Sequence, residues 1–293
     1  MTFSRTLFLP LLFVLGCGRA PVAQIHSASE ALSRVRKQSE CSRALSGEAR
    51  LSFHGDGRRL AGRMLYLMEV PDRIRFDVIS PFGATLSTLT SDGERFSLFD
   101  LQEKSFFFGP ARTCNVMRFT RVPLPPSALV ETLRGRPATI VHERSEIRWV
   151  SPLFGGGHYE ATLYAGPGIR QELRFGVRDE DYDAPVDAQR LRYLGTRVFE
   201  GDRLSYEVTL SRYQRVLRKP TVAGEDPLDV PLPPSGPECD AEVPGLVRFR
   251  ARETGYDLTI DNEEVWHNPP LPSSSFTQEA PGGVRQLESR CSD

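Results

Sequence analysis

Hydrophobic and polar residues alternate along most of this chain, which is the pattern of strands that bury one face. In the N-terminal half the alternation is interrupted by short turns rich in Gly, Asp and Pro, so it predicts a meander of antiparallel strands. Six strands are expected, at 50–53, 60–70, 73–78, 85–90, 95–100 and 105–108.

Two stretches in this meander are apolar on both faces. They are Met64 to Met68 and Phe106 to Phe108. A sheet that carries both patterns has one face on a packed core or cavity, while helices cover parts of the other face. Neighbouring Met and Phe side chains make an adaptable apolar surface, although ordinary core packing also explains three consecutive Phe residues.

Two helices interrupt the strands. Ser29 is the expected N-cap of an amphipathic helix that runs to about Ala44. Ser127 is the expected N-cap of a second helix, which Gly135 ends. The second helix is too short to be stable alone, so it must lie on the sheet.

Strand patterns resume in the second half, near 147–149, 159–163, 169–177, 191–199, 204–210, 247–250 and 257–260. Seven Pro residues between 220 and 244 predict an extended crossing segment rather than a domain boundary, because the 49 residues after it would be marginal alone. We interpret the acidic stretch 179–188 as a solvated loop, since Tyr and Pro interrupt the ligand order of a calcium loop.

The N-terminus has the pattern of a lipoprotein signal peptide. An apolar run from Leu7 to Leu15 is too short to span a bilayer, and it ends in Val-Leu-Gly before Cys17, as in the bacterial lipobox. We therefore expect removal of 1–16, a lipidated tether at 17–28 and one domain at 29–293. Acylation of Cys17 would anchor the chain without a spanning helix, and Gly18, where Asp would favour the inner membrane, favours the outer membrane. The alternative is an ordinary secretory signal.

The other four cysteines are an even number in an oxidising compartment. Two disulfides are the expected use, although four free thiols remain an alternative. We favour pairing within each half of the chain, Cys41 with Cys114 and Cys239 with Cys291. No spacing fits a zinc site, and no metal is expected.

Composition excludes some functions. Hydrophobic residues make up 39% of the 293 residues, enough for a core, and the formal charge of −1 argues against nucleic-acid binding. The five His residues occur without a catalytic motif, and Gly155 to Gly157 before His158 lack a nucleophile elbow. We therefore predict no enzymatic activity and no cofactor.

Several motifs resemble those of the LolA/LolB superfamily, the periplasmic carrier and outer-membrane receptor of bacterial lipoproteins. Ser80 to Leu86 (SPFGATL) is similar to the family's turn into its fourth strand, and Ser91-Asp92-Gly93 to its following hairpin. Leu124 to Pro137 resembles the family's Pro-led helix, with Thr132 where Trp is often found. The tail from Asn268 to Val284 is similar to the end of related lipoproteins. The resemblance is strongest over 27–137.

The resemblance implies a mainly β fold: a half-open antiparallel β-barrel that encloses an apolar cavity, with an N-terminal helix and short lid helices. It also implies a loop that touches the membrane, here Pro81, Phe82 and Gly83, unless Phe82 folds back onto the sheet. The residues expected to line the cavity are Met64, Tyr66, Met68, Phe76, Leu86, Leu98, Phe106, Phe108, Leu129, Leu133 and Trp149.

The implied function is that of a LolB-like lipoprotein on the periplasmic face of the outer membrane. A monomer would accept acylated lipoproteins from a soluble LolA-like carrier and insert them into the membrane. The alternative is an envelope lipoprotein of the same fold that binds another lipid or acts as a structural or assembly partner. Both alternatives share the fold, which by itself does not determine function.

Overall fold

A computed structural model describes residues 20–55, 57–80, 82–152, 156–216, 232–272 and 274–291. The α-helices in this part are α1 (Ala28–Gln38), α2 (Thr113–Thr120) and α3 (Pro126–Leu133). The strands are β1 (Ala44–Gly55), β2 (Arg58–Glu69), β3 (Arg73–Ile79), β4 (Thr85–Ser91), β5 (Arg95–Asp100), β6 (Ser105–Pro110), β7 (Arg144–Val150), β8 (His158–Ala165), β9 (Ile169–Val177), β10 (Leu191–Glu200), β11 (Arg203–Ser211), β12 (Gln214–Arg215), β13 (Glu242–Val243), β14 (Leu246–Ala251), β15 (Tyr256–His267) and β16 (Arg285–Glu288).

Fourteen of these strands form one sheet, in the order β16-β6-β5-β4-β3-β2-β1-β15-β14-β11-β10-β9-β8-β7. Each neighbouring pair is antiparallel except β16 and β6, which are parallel. The sheet does not close, because its two edges are β7 and β16. The mainly β, half-open barrel that the sequence predicted is therefore confirmed.

The six predicted strands of the N-terminal meander are present as β1 to β6 and pair in chain order. The late strands β14 and β15 belong to the same sheet, and β15 pairs with β1 at its centre. Register shifts interrupt four ladders, including Glu48/Ala49 on β1 and Val198/Phe199 on β10. Such bulges bend the strands that carry them and help the sheet to curl.

The sheet has one apolar face, which we call the inner face. In the β1–β2 ladder Leu45 lies opposite Met68, and Gly47 lies opposite Tyr66. All four are buried. On the other side of β1, Leu51 lies opposite Ile260 on the same face.

The outer face of the C-terminal half carries ion pairs between neighbouring strands. Arg148 pairs with Glu160 at 2.6 Å, Arg197 contacts Glu160 at 3.2 Å, and Arg197 also contacts Glu172 at 2.7 Å. Opposite charges across strands stabilise a sheet modestly. Arg148 and Arg197 therefore both have acidic partners on this face.

The helices differ from the prediction in their limits. The cap of α1 is Ser27, whose hydroxyl accepts from the Glu30 amide, and α1 ends at Gln38, so Ala44 instead begins β1. The cap position of α3 is Pro125, with no side-chain hydrogen bond, and not Ser127. The sequence analysis missed α2.

The predicted disulfide pairing is wrong. The bonds are Cys41–Cys239 and Cys114–Cys291. Because β15 pairs with β1 and β16 pairs with β6, the C-terminal quarter of the chain returns to the N-terminal half. The bonds therefore join the two halves instead of staying within each.

Gly47 is required for the packing of Tyr66. A Cβ atom at Gly47 would lie 2.5 Å from the Tyr66 ring and 2.6 Å from the Glu264 carbonyl oxygen, whereas at Gly62 its nearest neighbours would be at 3.6 Å. We predict that Gly47→Ala lowers the free energy of unfolding by about 1–3 kcal/mol, the usual cost of overpacking. Gly62→Ala, the matched control on the next strand, should change it by less than about 0.5 kcal/mol. Urea denaturation measures both, and equal effects would contradict this account of Gly47.

Candidate functional site

The inner face gathers most of the predicted cavity residues. The β2–β3 register places Tyr66 opposite Phe76 and Met68 opposite Ile74. Met64, Tyr66 and Met68 are buried, and Phe76 is half-buried against them. Farther along the sheet, Trp149 on β7 contacts Tyr159 edge-on with ring centroids 4.9 Å apart.

The three helices cover this face. Leu129 and Leu133 of α3 are buried in the same cluster as Met64 and Leu98, together with Val116 of α2. A cavity of about 30 Å³ lies between α1 and β10, and one of about 10 Å³ lies between the end of α2 and the β14–β15 hairpin. These volumes are far below the roughly 300 Å³ at which ligand pockets begin. In the described part of the chain, apolar side chains of the helices pack directly against the inner face.

Two predicted cavity residues lie on the other face of the sheet. Leu98 of the inner face pairs with Phe107, so Phe106 and Phe108 point to the outer face. Leu86 lies at the register shift of the β3–β4 ladder and is half-buried outside the inner-face cluster. The predicted shared lining therefore fails for Phe106 and Phe108, because three consecutive Phe residues do not reveal which of them faces inward.

The outer face near Phe106 is covered by the C-terminal segment. Gln278 donates to the carbonyl oxygens of Thr88 and Ser97, at 2.9 and 3.1 Å. Phe276 is buried. Between this segment and the sheet lies a groove of about 430 Å³, to which Phe106, Phe108 and Phe276 contribute.

A buried arginine connects α3 to the end of α1. The side chain of Arg134 is 1% exposed and donates to the Ser39 and Ser42 carbonyl oxygens, and it pairs with Glu131 at 2.9 Å. Burial lowers the pKa of Arg134 to about 10, against the opposing effect of Glu131. Arg134 is therefore still a cation at neutral pH and holds the two helices together.

Beside Arg134, a buried histidine joins distant parts of the chain. His267 Nε2 lies 2.8 Å from the Ala241 carbonyl oxygen, and Nδ1 lies 2.9 Å from the Ser42 hydroxyl. A carbonyl can only accept, so we infer that Nε2 carries the hydrogen and that Nδ1 accepts from Ser42. Burial lowers the pKa of His267, and the charge of Arg134 lowers it further.

This histidine makes stability depend on pH. Unfolded His titrates near 6.5 and folded His267 titrates lower, so the unfolded state binds more protons and stability falls as pH drops through 6.5. We predict that His267→Gln reduces the loss of unfolding free energy between pH 7.5 and 5.5, measured by urea denaturation. His54→Gln, at an exposed position, is the control and should leave the slope unchanged. A slope in His267→Gln equal to that of the unaltered chain would refute this role.

The loop between β3 and β4 presents an exposed aromatic residue. Phe82 is 97% exposed, so it does not fold back onto the sheet. Hydrogen bonds within the loop hold its shape, since the Gly83 amide donates to the Ser80 carbonyl at 2.9 Å and Gly83 has a φ of +84°. Leu60, which follows the β1–β2 turn, is 59% exposed. Pro81 lies outside the described residues.

The acidic stretch 179–188 is more structured than predicted. Asp181 is buried and accepts from the Arg190 amide and guanidinium, all at 2.8 Å. These hydrogen bonds lower the pKa of Asp181. Tyr182 contacts Trp149 edge-on, so the stretch is part of the packed structure and not simply a solvated loop.

Chemistry-bearing residues are dispersed in the described part of the chain. It contains no group of three or more His, Cys, Asp or Glu placed to hold a metal. His158 is half-buried on β8, where burial and Arg174 lower its pKa. None of the helices described is long and apolar enough to cross a bilayer. Cys17 lies outside the described residues.

Comparison with known proteins supports the fold. Neither protein-family models nor curated protein sequences give a match. Among solved structures, a DUF1329 family protein from Desulfovibrio piger aligns with a TM-score of 0.52 at 12% identity, over 88% of this chain and 98% of the other. A LolA superfamily protein from Nitrosomonas europaea aligns with a TM-score of 0.51 at 10% identity, over 87% of this chain and 99% of the other.

A third similar structure is a domain from Vibrio parahaemolyticus that is described as an outer membrane lipoprotein-sorting protein. It aligns with a TM-score of 0.50 at 12% identity, over 85% of this chain and 97% of the other. The chain therefore has the fold of these three structures, one of which is a LolA superfamily protein, as the resemblance of its motifs implied.

Proposed function

We propose that this protein is a LolB-like envelope lipoprotein. Anchored at Cys17 on the periplasmic face of the outer membrane, it would receive acylated lipoproteins from a soluble LolA-like carrier and insert them into the membrane as a monomer. The observation that carries the proposal is the single apolar inner face that spans the sheet and lies under short helices. The similarity to a LolA superfamily structure and a lipoprotein-sorting domain supports it.

The inner face suits acyl chains because they need a dry surface. An acyl chain in water costs about 0.8 kcal/mol for each exposed CH₂, so a chain of sixteen carbons costs roughly 12 kcal/mol. Met64 and Met68, with flexible thioether side chains, can adapt to chains that pack in different ways. No covalent step is required, so we propose binding and transfer without catalysis.

Acyl chains can enter only if the helices move. The cavity between α1 and β10 is too small for one chain, and Leu129 and Leu133 of α3 are buried against the residues of the inner face. Loading would replace the contacts of these side chains by contacts with lipid. Because both are apolar, the exchange costs little hydrophobic free energy.

The molecules that remain bound to the purified protein test the substrate class. We predict that full-length protein extracted from membranes carries acylated polypeptide, which extraction into organic solvent and mass spectrometry would detect. Phospholipid as the bound species would instead support the alternative of an envelope lipoprotein that binds another lipid.

Phe82 is the residue we propose to enter the membrane during release. A fully buried Phe contributes about 1.5–3 kcal/mol, so replacement by a charged residue should slow transfer of acylated lipoproteins into liposomes at least tenfold. We predict this loss for Phe82→Glu, with an unfolding free energy within about 0.5 kcal/mol of the unaltered chain, because the side chain is fully exposed.

Leu232→Glu is the matched control for Phe82→Glu. Leu232 is 50% exposed and lies near the Pro234–Pro270 bridge, at the opposite ends of the strands. Transfer should be unaffected by Leu232→Glu. Unchanged transfer by Phe82→Glu, with the fold intact, would remove Phe82 from the proposal.

A further inference from the structure

The strands end at two rims, and the proposed membrane-entering residue lies at only one of them. The tip rim carries the β3–β4 loop with Phe82, together with the β1–β2 and β14–β15 turns. The opposite rim, which we call the helix rim, carries α1 and the β9–β10 connection, since Arg34 of α1 donates to the Val186 carbonyl oxygen.

The segment before α1, residues 20–27, is fixed to the helix rim. The Val22 amide donates to the Tyr182 carbonyl oxygen at 3.2 Å. Gln189 Nε2 donates to the Ala23 carbonyl oxygen at 2.7 Å, and the Ile25 amide donates to the Tyr159 hydroxyl at 3.1 Å. Ile25 itself is buried. These contacts hold the first described residues at the end of the sheet that lies farthest from Phe82.

Chain length then limits which rim can reach a membrane that holds Cys17. Four residues lie between Cys17 and Val22, so these two residues can be at most about 18 Å apart. Strand β1 has 12 residues, which rise about 36 Å. At the tilt of about 40° usual in barrels, this separates the rims by about 28 Å. An upright molecule whose segment is fixed therefore keeps Phe82 away from the anchoring bilayer.

Release of the segment removes this limit. If residues 20–26 leave the helix rim, nine residues lie between Cys17 and Ser27, the cap of α1, and the two can be up to about 35 Å apart. That length exceeds the distance between the rims. Within the described part of the chain the contacts to be broken are few, because the segment makes three hydrogen bonds to the sheet and its connections and buries little besides Pro21 and Ile25.

We infer that residues 20–26 form a detachable strap that decides which rim faces the anchoring membrane. With the strap bound, the tip rim points away from the bilayer, toward an incoming carrier. With the strap released, Phe82 reaches the bilayer and cargo can leave. The inference rests on the proposed function, specifically on a lipid anchor at Cys17 and on a membrane-entering Phe82.

Bromolipid quenching of an indole introduced by Phe82→Trp tests the strap. The lipidated full-length Phe82→Trp chain is reconstituted in phosphatidylcholine vesicles with brominated acyl chains, and the signal of the unaltered chain, from Trp149 and Trp266, is subtracted. A second protein carries 20 Gly and Ser residues inserted between Arg19 and Ala20, with a root-mean-square span of about 25 Å. A third carries Tyr159→Phe and Gln189→Leu, which remove two of the strap's hydrogen bonds.

We expect quenching of the introduced indole to rise at least twofold in both the lengthened and the strap-weakened proteins. In the Cys17→Ser chain, which has no anchor and is added to vesicles from solution, the insertion should have no effect. Equal quenching of the anchored proteins with short and long tethers would overturn the strap inference. Absence of quenching in the Cys17→Ser chain, with either tether, would instead overturn the role of Phe82 in the proposed function.

Discussion

The position of β1 between β2 and β15 is the constraint on which the rest of the structure depends. β1 pairs with β2 over its whole length and with β15 from Leu45 to His54, so its backbone groups are satisfied on both sides. Without β15, the sheet would divide between β1 and β14. Because β15 lies near the end of the chain, this one pairing brings the C-terminal region to the start of the domain.

Asn268, directly after β15, shows how closely the two ends are joined. Its Oδ1 accepts from the Arg43 and Ala44 amides, at 2.8 and 3.0 Å, and its Nδ2 donates to the Cys41 and Pro237 carbonyl oxygens. All four hydrogen-bonding positions of the amide are used. Its φ of +47° is a conformation that Asn tolerates better than most residues. Polar residues at this junction thus replace the strand pairing where β1 and β15 end.

The features that could be predicted from the sequence are those that depend on residues close together in the chain. Alternation of residues such as Ile74 with Arg75 determines which strands form, and the motif around Phe82 indicated the fold and an exposed loop. Pairing between distant segments leaves no comparable pattern in the sequence. The predicted disulfide partner of Cys41 was therefore wrong. The face of Phe106 depends on the register with β5, and α2 lacks a cap and a clear turn signal. His267 and Arg134 were missed as partners because residues 42, 134 and 267 meet only after folding.

The position of β15 also has a consequence for the order in which the structure can form. Cys41 and Cys239 are 198 residues apart, and Cys114 and Cys291 are 177 apart. A chain made from its N-terminus therefore exposes β1 with one edge unpaired until almost all residues have emerged. Contacts between such distant residues slow folding, and an unpaired apolar strand invites association with other chains. The arrangement that completes the sheet thus leaves an apolar edge of β1 exposed in the growing chain until β15 can pair with it.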